Sequence, residues 1–368
     1  MVAFLNEFDT KLSTAYKSAL ASGELIFTPS HIHTTKETEF DIDFQICYAP
    51  LLAKKPHGVL PVVEADPRPK LDRPSTPVVK TVEKTNPFLP HSPALYVADA
   101  SKDHKILLNK YCIVPRHFLV VTKDPLSPED MLAVWNTLKA LRDSQDALAF
   151  YNCGTRSGAS QPHKHLQVIP LEEPAPVAAL VREYSKRRPG KKENRPGDVF
   201  SVPFNCINHV ILLPDPSKTN KDEEDILTEA YITLMDAMMI SIREYAEHEQ
   251  EMGTLSTSDR TLCSSIMSSF AYNWILTRDF MMIVPRKQES SNLVKGVELN
   301  INSLGFAGMV LAKTKMELDL VEQKGVMEIV AETGFTFMRE ERSAEEEDKR
   351  REQEDALEKQ MKEALSII

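Results

Sequence analysis

SGASQPHKHLQVIP, residues 157–170, is the stretch on which the reading of this chain turns. Its second half is short, carries β-formers and stops at Pro170, so it predicts a strand. Side chains at i, i+2 and i+4 of a strand share a face. His163, His165 and Gln167 therefore stand in a row, about 7 Å apart per step of two residues, with Leu166 and Val168 turned the other way into a core. The segment before them, NCGTRSGASQP (152–162), cannot be regular structure. Gly154 and Gly158 allow positive φ, and Ser157, Ala159 and Ser160 leave the backbone open to close approach. Successive N–H groups in such a turn form an anion-binding concavity. Serine hydroxyls add donors, Arg156 a cation and Asn152 an amide.

Three readings compete for these residues. The histidines can decorate a solvated strand face beside a plain turn. They can chelate zinc, although a third ligand is needed and Gln167 is a poor one. Or one of them is a nucleophile toward phosphorus. An imidazole with a pKa near its usual ~6.5 is substantially neutral near pH 7, and one ring nitrogen attacks while a hydrogen bond to the other fixes the tautomer. An anion-binding loop and a nucleophile on one rigid strand suit that chemistry. The residues favour the third reading without deciding it.

Outward from this stretch the chain alternates β-rich runs with long amphipathic helices. Residues 1–22 place Phe4, Leu5, Phe8, Leu12 and Tyr16 at helical spacing. EFDIDFQICYAP (39–50) alternates as a strand ending at Pro50, and the proline-dense stretch from Pro56 to Pro93 reads as a surface loop or linker. KILLNKYCIVPRHFLVVT (105–122) predicts an antiparallel hairpin around Pro115-Arg116. SPEDMLAVWNTLKALRDS (127–144) opens with Ser127 as N-cap, Pro128 at the first helical position and two acids in the first turn. After a basic, Pro/Gly-broken insert between Val181 and Asp198, VFSVPFNCINHVILLP (199–214) predicts one strand. Residues 222–248 predict a long helix, and SSFAYNWILTRDFMMIVPR (268–286) a second hairpin. Its TRDFMMIVPR echoes PRHFLVV of the first, Arg116 with Arg278 and Phe118 with Phe280, which hints at two similar halves. The end of the chain, from Arg339, is charged all round and predicts a solvated helix. The fold class is α+β, an antiparallel sheet with helices packed over it rather than alternating βαβ units.

Composition excludes several functions. The chain has 368 residues, 42 % of them apolar, enough for a large core. A net charge of −10 argues against a general nucleic-acid binder. Five scattered cysteines without a C-x-x-C pair suit reduced thiols rather than a disulfide framework or zinc ribbon. No signal-type apolar core and no run approaching 18 apolar residues is present, which predicts a soluble, intracellular protein. Neither G-x-G-x-x-G nor G-x-x-x-x-G-K-[ST] occurs, so dinucleotide-fold and P-loop readings are unsupported.

SGASQPHKHLQVIPL (157–171) resembles the active-site signature of fungal diadenosine tetraphosphate phosphorylases, or ATP adenylyltransferases. These belong to the histidine-triad superfamily, in the branch of galactose-1-phosphate uridylyltransferase. FQICYAPLLAKKP (44–56), NKYCIVPRHFLVVT (109–122), YNWILTRDFMMIVPR (272–286) and INSLGFAGMVL (301–311) are similar to further blocks of that family. The resemblance implies a histidine-triad-like fold with an N-terminal adenylyltransferase half at 1–182, a linker at 183–197, a C-terminal half at 198–338 and a tail at 339–368.

It implies the following chemistry. His165 attacks the α-phosphorus of a dinucleoside polyphosphate, expels ATP and carries AMP covalently until inorganic phosphate takes it as ADP. His163 orients the site and Gln167 bonds the transferred group. Hydrolases of the superfamily have a third histidine where this chain has Gln167, and the neutral amide preserves the intermediate for phosphate. Asn152 and residues Ser157, Gly158, Ala159 and Ser160 are implied to hold the α-phosphate and ribose, and Lys54 or Lys55 to meet the polyphosphate. Asn273, Thr277, Arg278, Met282 and Arg286 are implied to close over the distal nucleotide or phosphate, with Asn86 and Phe88 bordering the other base. The partners implied are dinucleoside polyphosphates, ATP, ADP and phosphate, with Mg carried on substrate phosphates, no protein metal site and no tightly bound organic cofactor. A monomer in the cytoplasm, or also the nucleus, without nucleic-acid or membrane partners completes the expectation. Exchange of ADP with sulfate is a further activity of the family. The alternatives are uridylyl transfer to a sugar phosphate, weakened by the lack of a Cys/His cluster for its structural metal, and a catalytically silent nucleotide-binding protein.

Overall fold

The computed structural model describes residues 2–38, 40–54, 91–121, 127–141, 146–159, 164–186, 197–251 and 271–336. Helix α1 (Val2–Ala21) leads through β1 (Ile26–Phe27) to the hairpin of β2 (His31–Glu37) and β3 (Ile42–Tyr48). Strands β4 (Tyr96–Asp99), β5 (Lys105–Leu108), β6 (Tyr111–Cys112) and β7 (Phe118–Val121) precede α2 (Pro128–Ala140). After α2 come β8 (Asp146–Cys153), β9 (His165–Leu171) and α3 (Pro176–Tyr184). The rest comprises β10 (Val199–Phe200), β11 (His209–Leu212), α4 (Glu223–Glu251), β12 (Tyr272–Leu276) and β13 (Phe280–Pro285). The described chain closes with β14 (Ser290–Val294), β15 (Val297–Asn300), α5 (Ser303–Phe306), β16 (Met309–Ala312), α6 (Lys315–Lys324) and α7 (Val326–Thr333).

Nine strands join into one sheet in the order β10-β11-β13-β12-β8-β9-β7-β5-β4, every neighbour antiparallel. The predicted α+β class is what forms. The two halves repeat one plan, a strand pair, a helix and a second strand pair, and meet back to back where β8 runs beside β12. By position in the sheet β11 answers β7 and β13 answers β9. The echo of Phe118 in Phe280 therefore links strands that do not correspond. Where β9 carries His165 and Gln167, β13 carries only buried FMMIVP, so the chemistry belongs to one half.

Strand alternation sorts the core into two layers. Phe118, Val120, Leu166, Val168, Trp274 and Ile283 turn to one face and pack with Phe8 and Leu12 of α1, Val134 and Leu138 of α2, and Leu234 and Met238 of α4. Phe8 meets Phe118 edge-on with ring centroids 5.5 Å apart, worth about 0.5–1.5 kcal/mol beyond area burial. On the other face Phe150, Ile275, Met282 and Val210 pack with β3, β16, α3 and the C-terminal helices. The residues Met1–Phe335 make one compact unit.

Local signals mostly hold. The Ser127–Asp130 capping box that starts α2 is complete, the Ser127 hydroxyl accepting from the Asp130 amide and the Asp130 carboxylate from the Ser127 amide. One expectation is corrected. The run 199–214 is two short strands, because Asn208 accepts from the Val202 amide and donates to the Val202 and Cys206 carbonyls, folding the chain back at Pro203. The hairpin expected over 105–122 forms, β5 pairing antiparallel with β7, and between the two strands the chain detours to pair Tyr111 and Cys112 with β1. The proline-rich segment with Lys55, Asn86 and Phe88, the centre of the basic insert and the charged tail lie outside the described residues.

Candidate functional site

The ladder between β7 and β9 pairs Val121 with His165 and Leu119 with Gln167. Directly opposed residues of an antiparallel pair share a face. His165 and Gln167 therefore lie together on the face away from α2, with Leu166 and Val168 in the core beneath, as the alternation predicted. His165 opens the strand and is 8 % exposed. His163 and Ser160, the other expected members of this row and loop, lie outside the described residues.

A second histidine joins them. His117, just before β7, falls on the same face by alternation, hydrogen-bonds Gln167 and stands beside His165. The Asn109 amide is 3.1 Å from its Nδ1. Burial is the main reason its pKa drops to about 4, so the ring is neutral at working pH. Sequence reasoning passed over His117. The signal was its place in PRHFLVV, but using it requires knowing that β7 lies beside β9, which no local pattern states.

His209, buried in β11, is pushed down to about 4 for the same reason. In both cases the folded pKa is below the unfolded value near 6.5, so below that pH the unfolded chain binds more protons. Stability should be complete above pH ~6.5 and fall as pH drops toward 4, by about 3 kcal/mol or less per histidine. Urea midpoints measured between pH 7.5 and 4 should show this fall, and it should flatten in His117→Asn or His209→Asn. An unchanged slope in both variants would refute the assignment.

The turn before the strand has the predicted glycine geometry. Gly154 and Gly158 take φ of 80° and 77° around a short 3-10 turn, Thr155–Ser157. Gly154 and Thr155 are exposed, while Gly158 and Ala159 are half-buried. A Cβ on Gly158 would come within 2.6 Å of the Ile301 carbonyl oxygen. Gly158→Ala should therefore cost about 1–3 kcal/mol in urea denaturation and weaken AMP binding by calorimetry. Wild-type stability in that variant would show the turn to be less constrained than its packing indicates.

Several side chains expected to touch substrate also bond within the protein. Ser157 is fully buried, and its hydroxyl donates to the Gly154 carbonyl at 2.6 Å. The Asn152 Oδ1 accepts from Asn273 Nδ2 at 2.8 Å and from the Ser303 amide and hydroxyl at 2.9 and 2.7 Å. Asn273, fully buried, also donates to the Ser157 carbonyl at 2.9 Å. The Arg286 guanidinium is fully buried too, bonding the Ser157, Ile301, Thr333, Gln288 and Glu289 carbonyls and Asn273 Oδ1. These two second-half residues brace the turn from behind. Arg278 donates to the Leu138 and Leu141 carbonyls and so caps α2 at its C-terminal end. Thr277 closes the β12–β13 turn by accepting from the Asp279 and Phe280 amides. It lies four residues along β12 from the row of Asn273 and Asn152, about 13 Å away. Met282 pairs with Ile275 inside the second core layer. Lys54 ends a 3-10 turn, Pro50–Lys54. Among the described residues no group of three or more His, Cys, Asp or Glu is placed to hold a metal ion. No described helix is long and apolar enough to cross a membrane.

Comparison with known proteins bears on the same elements. Residues 6–183 match the model of the Ap4A phosphorylase N-terminal domain, and residues 200–336 that of the ATP adenylyltransferase C-terminal domain. Diadenosine 5',5'''-P1,P4-tetraphosphate phosphorylase 2 of Saccharomyces cerevisiae is 27 % identical over 335 residues, 84 % of this chain and 88 % of the relative. Protein APA1 of the same organism is 27 % identical over 345 residues, 88 % of this chain and 93 % of its own. The crystal structure of yeast Ap4A phosphorylase Apa2 with AMP superposes with a TM-score of 0.66 at 23 % identity, over 92 % of this chain and 99 % of Apa2. Its complex with Ap4A gives 0.61 at 25 % identity, over 90 % and 98 %. Two domain models that follow one another along the chain and take in both halves of its central sheet lead to one conclusion: this protein belongs to the Ap4A phosphorylase family of ATP adenylyltransferases.

Proposed function

We propose that this protein cleaves diadenosine tetraphosphate by phosphorolysis to ATP and ADP, reversibly, through an adenylyl group carried on His165. One observation carries the reading. His165 shares its sheet face with Gln167 and neutral His117, and the β8–β9 ladder, continued two residues past Phe150 and Gln167, sets it opposite Asn152, where the glycine turn begins. A lone pair of the His165 ring forms a bond to the α-phosphorus, and the bond to the leaving ATP oxygen breaks with its electrons. In the second step a phosphate oxygen attacks the same phosphorus, the P–N bond breaks, and ADP leaves the restored imidazole. Gln167 contributes amide N–H donors but carries no acidic proton. It can hold the phosphoryl oxygens without protonating a leaving group for water. Half-buried backbone N–H groups at the glycine turn stabilise charge that develops on the non-bridging oxygens.

Mg arrives on the substrate phosphates, neutralising charge that a protein with net charge −10 would otherwise repel. Sulfate, similar in shape and charge to phosphate, can take the adenylyl group in its place, which is the ADP–sulfate exchange. The name of one yeast relative, diadenosine 5',5'''-P1,P4-tetraphosphate phosphorylase 2, and the AMP and Ap4A in the Apa2 complexes support this assignment of substrate.

Incubation with α-labelled ADP, from which the reverse of the second step forms the adenylyl-histidine and releases phosphate, or with a UDP-sugar labelled on its uridylyl phosphate, followed by quenching tests it. Protein-bound label from ADP that is lost in acid and survives alkali is the expected result. Label from the UDP-sugar alone would make the protein a uridylyltransferase. No label from either, with AMP still bound, would make it a nucleotide-binding module.

A further inference from the structure

The nucleophilic residue opens its strand. Among the described residues the β7 ladder includes His165 and the β8 ladder reaches Gln167. Strand ends fray more readily than strand centres, yet a nucleophile must be aimed within a fraction of an ångström. Immediately before it, Lys164 turns to the opposite face and places Nζ 2.5 Å from Asp130 Oδ2. The other oxygen of that carboxylate is 2.8 Å from His104 Nε2, and the Ser101 hydroxyl is 2.6 Å from His104 Nδ1. The Ser127 amide donates to Oδ2 as well. Asp130 is 1 % exposed, His104 4 % and Lys164 9 %. One carboxylate thus ties together the first turn of α2, the start of β5 and the residue preceding the nucleophile.

A buried ion pair of this kind contributes little net stability, since desolvation offsets the attraction. What it provides is a fixed geometry. We propose that Lys164, anchored by Asp130 and through it by His104, is a positioning residue that aims the His165 imidazole. The inference rests on His165 being the nucleophile.

Three variants test it. Lys164→Met removes the anchor, Lys164→Arg keeps it, and Lys164→Met/Asp130→Asn removes both charges so that no buried carboxylate is left unpaired. Turnover in Lys164→Met should fall on the order of 10²-fold in kcat with KM changed less than about threefold, the loss expected of misplacement near 1 Å. Lys164→Arg should recover most of it. The double variant should regain melting temperature but not kcat. The second readout is the His165 ring signal in histidine-labelled NMR, assigned by its loss in His165→Ala. It should broaden or shift in Lys164→Met and in the double variant, and not in Lys164→Arg. If the double variant recovers kcat along with its melting temperature, or the His165 signal is the same in all variants, the network is structural and the proposal fails. Should the wild type carry no label, the nucleophile assignment fails by itself, while the NMR comparison still decides whether Lys164 orients the ring.

Discussion

His165→Ala should lose turnover of diadenosine tetraphosphate on the order of 10⁴-fold or more, the loss seen when a covalent nucleophile is removed and only binding and electrostatics remain. Folding should be nearly unaffected. The ring turns to the face opposite Leu166 and Val168, which stay fully buried in the core on the other side of the strand. The melting temperature should stay within a few degrees of wild type, and AMP should still bind. No acid-labile label should form. The measurement is the rate of ATP and ADP appearance beside labelling and thermal unfolding of the same preparation. Retention of a tenth or more of the activity would mean that phosphate attacks the bound substrate directly. His163→Ala, which leaves the nucleophile in place, should slow turnover less, because an orienting hydrogen bond is partly replaced by water.

How far the sequence discloses all this depends on whether a feature is local. Alternation in HLQVIPL, the cap at Ser127-Pro128 and the glycines of the turn are each decided within a few residues, and the structure reproduces them. Features that need two distant segments were not legible. The pairing of β7 with β9, which brings His117 to Gln167, joins residues about fifty apart in sequence and follows from the packing of both strands over α2. Nothing local marks Lys164, since the acid that holds it is 34 positions earlier. The polar residues of β12 and β13 show the opposite difficulty. A resemblance that locates Asn273, Thr277, Arg278 and Arg286 at conspicuous positions does not say whether they face ligand or backbone. Carbonyl groups left over at turns and helix ends need donors, and a guanidinium or amide supplies them as well as it binds phosphate.

Arg286→Met should be the most destabilising single change in the second half, costing about 3–5 kcal/mol. The guanidinium has no exposed surface, and every N–H has an acceptor: Nε the Thr333 carbonyl, Nη1 those of Ser157 and Ile301 with Asn273 Oδ1, Nη2 those of Gln288 and Glu289. Its planar group also lies over the Phe306 ring, 5.2 Å from the centroid. Burial lowers its pKa to about 9, still above working pH, so the charge persists. Methionine fills part of the volume but takes the guanidinium's N–H groups from the Ile301 and Gln288 carbonyls and Asn273 Oδ1, while the Ser157, Thr333 and Glu289 carbonyls keep Asn273 Nδ2 and backbone amides, and each group left unsatisfied costs about 1–3 kcal/mol before relaxation. Lysine carries the charge without the fork and can reach only some of the same acceptors, so Arg286→Lys should fall between methionine and wild type. Because Arg286 bonds both Ser157 O and Asn273 Oδ1, which hold the glycine turn from behind, surviving folded protein should also bind AMP more weakly. Urea denaturation and calorimetry of the two variants separate these effects. A methionine variant within about 1 kcal/mol of wild type that nevertheless loses phosphate dependence would show that Arg286 meets substrate after all. Large destabilisation with the order arginine, lysine, methionine would establish it as the brace on which the anion-binding turn rests.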